Sequence, residues 1–148
     1  MTEVGAQGDA TKALLKVYYD ALNLQDMDTV LSLLTDDVVH DINQGQREVG
    51  KAAFREFLGL MSSCYREHFF NIEIMSNEDG SRAASEFNVL GVYLANADGM
   101  PAAYGQTYRL PGGAFFEIQH GKIARVSVHY NLQDWLAQIG FQKQVEYG

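Results

Sequence analysis

Positive charge, cysteine and long apolar runs are all scarce in this chain. Eleven Lys and Arg stand against nineteen Asp and Glu, a net charge of −8. Such a surface repels phosphate backbones and anionic lipid, which argues against nucleic acid and membrane surfaces as partners. The single cysteine, Cys64, cannot close an intrachain disulfide and has no CxxC or Cys/His neighbourhood, so a reduced thiol in or near the core is expected. No apolar run is long enough to cross a bilayer, and the first residues are polar and acidic, so the expected location is the cytoplasm. The four histidines at 40, 68, 120 and 129 have no metal-ligand spacing, and no metal is expected. Gly112 and Gly113 follow a strand pattern without opening a helix, which excludes a phosphate loop.

What the chain does have is periodicity. Its 148 residues suit one domain, 1–148, with 1–10 read as a loose tail. Leu14, Leu15, Tyr18, Ala21 and Leu22 recur at helical intervals over 11–23, with Tyr18 on the buried stripe and Tyr19 turned more toward solvent. Asp26 or Asp28 caps a second helix carrying Met27, Val30, Leu31, Leu33 and Leu34. Phe54, Phe57, Leu58 and Met61 mark a third over 51–65. From His68 the pattern turns to strands at 69–75, 82–94, 103–119 and 122–131, with turns at 77–81, 96–99 and 120–121. Pro111-Gly112-Gly113 is read as a bulge. Leu132, Trp135, Leu136 and Ile139 return to helical spacing in a tail over 132–141.

Helices first and long antiparallel strands after make an α+β fold, a curved antiparallel sheet with the three helices across its concave side and an internal pocket between them. Between the two halves lies Asp36-Asp37-Val38-Val39-His40-Asp41-Ile42-Asn43-Gln44-Gly45, a strand that breaks into a loop. Alternation puts Val39 and Asp41 on one face, Val38 and His40 on the other. A carboxylate beside a core-facing valine is costly to bury unpaired, so Asp41 is either a surface-edge residue or a group kept for chemistry. On the last strand Tyr130 runs in phase with Val126 and Val128 and should face the pocket, as should Phe116 beside Ala114. His129 and His40 fall on the opposite phase, read as outer-face positions. Glu86 is read as half of a rim ion pair.

Tyr18 to Asn23, Asp26-Met27-Asp28 and Leu33 to Asp41, with the Gly121-Lys122-Ile123 turn, resemble the ketosteroid isomerase family of the nuclear transport factor 2-like superfold, which also contains the SnoaL-like polyketide cyclases. Residues Asp41 to Gly50 look closest to the ketosteroid isomerase-related subgroup. The resemblance implies a cone-like α+β barrel, with Tyr18 as hydrogen-bond donor to a substrate oxygen and Asp41 as general base. Those isomerases keep a second, protonated acid beside the tyrosine. Aligned on Gly121, that position is Ala114, and Asn43, Gln106 and Tyr108 are candidate replacements.

The ligand expected is a small apolar or carbonyl-containing molecule in a pocket lined by Asn43, Phe54, Phe57, Gln106, Tyr108, Phe116, Val126, Val128 and Tyr130. No cofactor is called for, since a carboxylate and a donor suffice to move a proton next to a carbonyl, in isomerisation or cyclisation. Water activation in a hydratase or hydrolase, or a non-catalytic binding or dimerisation module, are the alternatives. The sheet face turned away from the helices mixes small and apolar residues with Glu86, Asn88 and His129, and a homodimer through it is expected.

Overall fold

The computed structural model describes residues 2–140, with side chains from residue 5 onward. In chain order it runs α1 (Thr2–Leu24), α2 (Met27–Ser32), β1 (Leu34–Asp41), β2 (Arg47–Val49), α3 (Lys51–Cys64), β3 (Tyr65–Ser76), β4 (Arg82–Tyr93), β5 (Gln106–Gln119), β6 (Lys122–Tyr130) and α4 (Leu132–Ile139). The six strands form one curved, open sheet in the order β2-β1-β6-β5-β4-β3, with helices packed on its inner face. This is the expected α+β class, with one pair departing from the antiparallel rule: β1 runs parallel to β6. The short strand β2, which the sequence reading left inside a loop, pairs back onto β1 at Val39–Val49 and Asp41–Arg47.

Helix α1 starts earlier than its apolar stripe. The segment expected as a loose tail is its first turns, and Thr11 ties it to the β3–β4 turn by donating to the Gly80 carbonyl at 2.7 Å. Gly80 takes φ 77°, a left-handed conformation that glycine adopts without the Cβ penalty. Further along α1, Tyr18 and Tyr19 are both buried, at 5% and 3% exposure, which corrects the solvent-prone reading of Tyr19. A helix lying in the hollow of a curved sheet is covered over more than one stripe, and the Tyr19 hydroxyl shares a 2.6 Å hydrogen bond with Ser85 of β4. Asn23 fastens the end of α1 to β3, donating to the Phe69 carbonyl at 2.9 Å and accepting from its N–H at 2.7 Å. Asp26 caps α2 by accepting from the Thr29 N–H.

The expected bulge at 111–113 is absent. Asn88–Pro111, Phe87–Gly112 and Glu86–Gly113 pair in unbroken register. β6 ends opposite Gly112, so on that side no ladder remains for Pro111 to break. The register shifts lie at Leu34–Val39 in β1, at Phe70–Glu73, where Asn71 takes φ 52°, and at Glu117–Ile118. These irregularities bend the sheet around the helices. α4 closes one end: Gln138 donates to the Arg109 carbonyl and accepts from its N–H. Phe141, expected in this last helix, lies outside the described residues.

Candidate functional site

A cavity of about 770 Å³ opens between the inner face of the sheet and the helices. The predicted lining residues Tyr18, Asn43, Phe54, Phe57, Val128 and Tyr130 all border it. Asp41 does not. Its carboxylate is clamped on the other face of the sheet, accepting from Arg47 Nε at 2.6 Å and Arg125 Nε at 3.0 Å, and the two guanidinium groups hold it below the usual carboxylate range. The expectation of an inward acid at this position is therefore corrected, and the reason is strand phase. Val38 is fully buried and His40 is 3% exposed, so it is their face, not that of Val39 and Asp41, that turns to the core.

The structure also moves four other predicted lining residues out of the cavity wall. Phe116 and Val126 are core, and Phe116 packs edge-on against Tyr18 with centroids 5.8 Å apart. Gln106 is a clamp for α4, donating to the carbonyls of Ala102 and Ile139 while accepting from the Tyr104 N–H. Tyr108 lies just behind the wall, donating to Glu67 Oε2 at 2.6 Å. Ala114 faces inward and is buried opposite Ser85, next to the Tyr19–Ser85 hydrogen bond. Asn43 accepts from the Tyr130 N–H through Oδ1, while its Nδ2 has no partner among the described residues.

Two titratable groups that the sequence reading left out of the site border the cavity. His40 sits on β1 with its ring 4.7 Å from Phe54 and 4.6 Å from Phe57. Burial lowers its pKa to about 4, against the opposing pull of the neighbouring Asp41 charge, so it is neutral at pH 7 with an unpartnered Nδ1. Glu67 sits on β3, half-buried, and borders the cavity. Desolvation raises its pKa, opposed by the Tyr108 hydrogen bond, and among the described residues no Lys or Arg borders the cavity to offset its charge. β1 and β3 are separated by three strands in the curved sheet, so the two groups approach the cavity from different walls.

Both signals were present in the sequence. His40 shares a face with Val38, and reading that face as the core one exposes the histidine. Glu67 sits two residues after Tyr65 and two before Phe69, an acid flanked in phase by aromatics. No helix among the described residues is long and apolar enough to cross a membrane, and they contain no cluster of three His, Cys, Asp or Glu arranged to hold a metal ion. Cys64 is free, half-buried and on the cavity wall.

The chain is similar to the structure of a candidate polyketide cyclase from Pseudomonas putida KT2440, 56% identical, covering 88% of this chain and 98% of that one with a TM-score of 0.86. A candidate polyketide cyclase from Xanthomonas campestris pv. campestris is 46% identical over 90% and 99% of the two chains, TM-score 0.89. An NTF2-like protein from Burkholderia xenovorans LB400 shares only 12% identity over 90% and 98%, and its TM-score of 0.72 marks the same fold. No curated protein sequence matches. The SnoaL-like domain model matches residues 15–126, three-quarters of the chain, and with the cone-like fold around its cavity this places the protein in the SnoaL-like domain family.

Proposed function

We propose that the cavity is the active site of a cofactor-independent enzyme that moves a proton next to a carbonyl of a small, largely apolar molecule, in an isomerisation or cyclisation. The observation that carries this is His40, a neutral imidazole held in an apolar wall of the cavity, facing the space a ligand would fill. With a pKa of about 4 it has the proton affinity of a carboxylate base, the class of base that resembling isomerases use. Tyr18 keeps the role of donor to the oxygen on which negative charge grows. Its buried phenol stays protonated at all working pH values, because desolvation pushes its pKa upward. Asp41 serves at a distance, its negative charge beside His40 favouring the imidazolium that proton abstraction creates.

The test is hydrogen–deuterium exchange at the carbon next to the carbonyl of 2-tetralone in D2O, followed by NMR. The protein should accelerate exchange, and His40→Gln should lower it by about a hundredfold or more with the fold intact. Full exchange activity in His40→Gln sinks the assignment. A second reading, a binding module without turnover, is favoured by Ala114, where isomerases carry a second acid. It predicts ligand binding with no exchange in the wild type. For assembly, Met75, Leu90 and Phe115 lie about half exposed, at 52%, 50% and 51%, and with Glu86, which makes no ion pair among the described residues, nearby they support a homodimer through the sheet. A single free thiol suits a reducing compartment, and the cytoplasm is the location proposed.

A further inference from the structure

Glu67 is a half-buried acid with no use in the proton transfer just described. Among the described residues it has no cationic partner, and Tyr108 alone donates to it. Removing a carboxylate from water without a counter-charge is costly, so such a group calls for a partner from outside the chain. Around it stand aromatic rings. Trp135 lies 5.4 Å from Tyr65 and 6.0 Å from Tyr130, centroid to centroid, and all three border the cavity. Tyr108, behind them, is 5.9 Å from Trp135 and 6.4 Å from Tyr65. Ring faces attract cations through their quadrupole, most strongly where water is excluded.

The rest of the lining points the same way. Among the described residues its charged members are Glu67, Asp26 and Asp98, all acidic, with neither Lys nor Arg. An anionic ligand, a carboxylate or a phosphate-bearing carrier included, would meet only like charge on its way in. We propose that the Glu67 wall of the cavity, with Tyr65, Tyr130 and Trp135, is a subsite for an ammonium group, and that the ligand is an apolar amine or an amine-bearing carbonyl compound. The inference rests on reading the cavity as the ligand site. It names the end of the ligand that lies away from His40.

Trp135 is the only tryptophan, so its fluorescence reports on this subsite. Three probes share a phenylalkyl body and carry a cationic, neutral or anionic head group at pH 7: 4-phenylbutylamine, 4-phenylbutan-1-ol and 4-phenylbutyrate. Titrated against the full chain, the amine should bind at least tenfold more tightly than the alcohol, and the carboxylate more weakly than either. In Glu67→Gln the amine should lose its advantage while the alcohol binds as before. Should that variant not fold, the pH dependence of the wild type serves instead: the amine's advantage over the alcohol should shrink as acid protonates Glu67. Equal binding of amine and alcohol, or an advantage that survives in Glu67→Gln or at acid pH, overturns the proposal. His40→Gln separates the two readings, since it should lower exchange by about a hundredfold or more yet keep the preference for the amine.

Discussion

Tyr108 and Glu67 are joined over a strand that lies between their own. The phenol of β5 donates to the carboxylate of β3 at 2.6 Å, and the residue in register with both, on β4, is Gly91. The ring lies where a side chain on Gly91 would be: a Cβ there would overlap the ring and hydroxyl of Tyr108. The glycine is thus a notch that lets a buried tyrosine orient a half-buried acid. Gly91→Ala should destabilise the fold by about 1–3 kcal/mol or more, read by chemical denaturation, because the overlapped ring is buried and not the free end of a mobile chain. Tyr108→Phe, which keeps the ring and drops the hydroxyl, should cost less. If Gly91→Ala proves as stable as the wild type, the close approach is not what holds the tyrosine.

His40 sets the acid side of the stability profile. Its folded pKa, about 4, lies below the ordinary value of 6.5, so between these pH values the unfolded chain binds the proton and the folded chain does not. Stability is therefore full above pH 6.5 and falls as pH drops toward 4, by roughly 3 kcal/mol across the window. Asp41, with its pKa lowered from 3.8, titrates below that window, while Glu67, raised above 4.5 by desolvation, gains stability as pH falls and opposes His40, a contribution common to the wild type and His40→Gln that cancels in their comparison. Denaturation midpoints in the wild type and His40→Gln should diverge in slope between pH 6.5 and 4, the variant being flatter. Parallel slopes would mean that the histidine is not buried in neutral form.

How much of this was visible in the residues depends on strand phase. The helices, the long strands and the α+β class followed from period, since runs such as Phe54-Phe57-Leu58-Met61 leave little choice of face, while the cone-like shape came with the family resemblance. β1 was different: Val38 and Val39 make both faces equally apolar, and only the parallel pairing with β6 decides which turns inward. That partner is far along the chain, so a one-residue choice sent Asp41 in and His40 out. Tyr108 was named as a candidate for the missing acid's place. Its actual partner, Glu67, emerges only from cross-strand register, in which Gly91 is the position that permits contact. β2 was unreadable for another reason, being three residues long and held by the Asp41–Arg47 pair.

Asp41 separates the geometry from the family expectation. Outside the cavity and bridged to Arg47 and Arg125, with 22% of its side chain exposed, it should matter for the β2–β1–β6 edge more than for the chemistry. Asp41→Asn is expected to cost under about 1 kcal/mol in stability, as a screened pair network does. Exchange of 2-tetralone should stay within about threefold of wild type, the small loss coming through the weakened base at His40. A loss of a hundredfold would return the base to Asp41.

The outer face of the sheet gives the last expectation. Phe115 is half exposed and packs edge-on against His129 at 5.5 Å, on strands whose inner faces are already covered. A homodimer built there hides Phe115, Leu90 and Met75 from water, each side chain contributing on the order of 1 kcal/mol or more once its exposed half is covered. Phe115→Asp places a charge at the middle of that contact without touching the core. Sedimentation velocity should then find a monomer where the wild type sediments as a dimer, with far-ultraviolet circular dichroism unchanged. A wild-type monomer, or a dimer that survives the substitution, would put the apolar residues of this face to some other use.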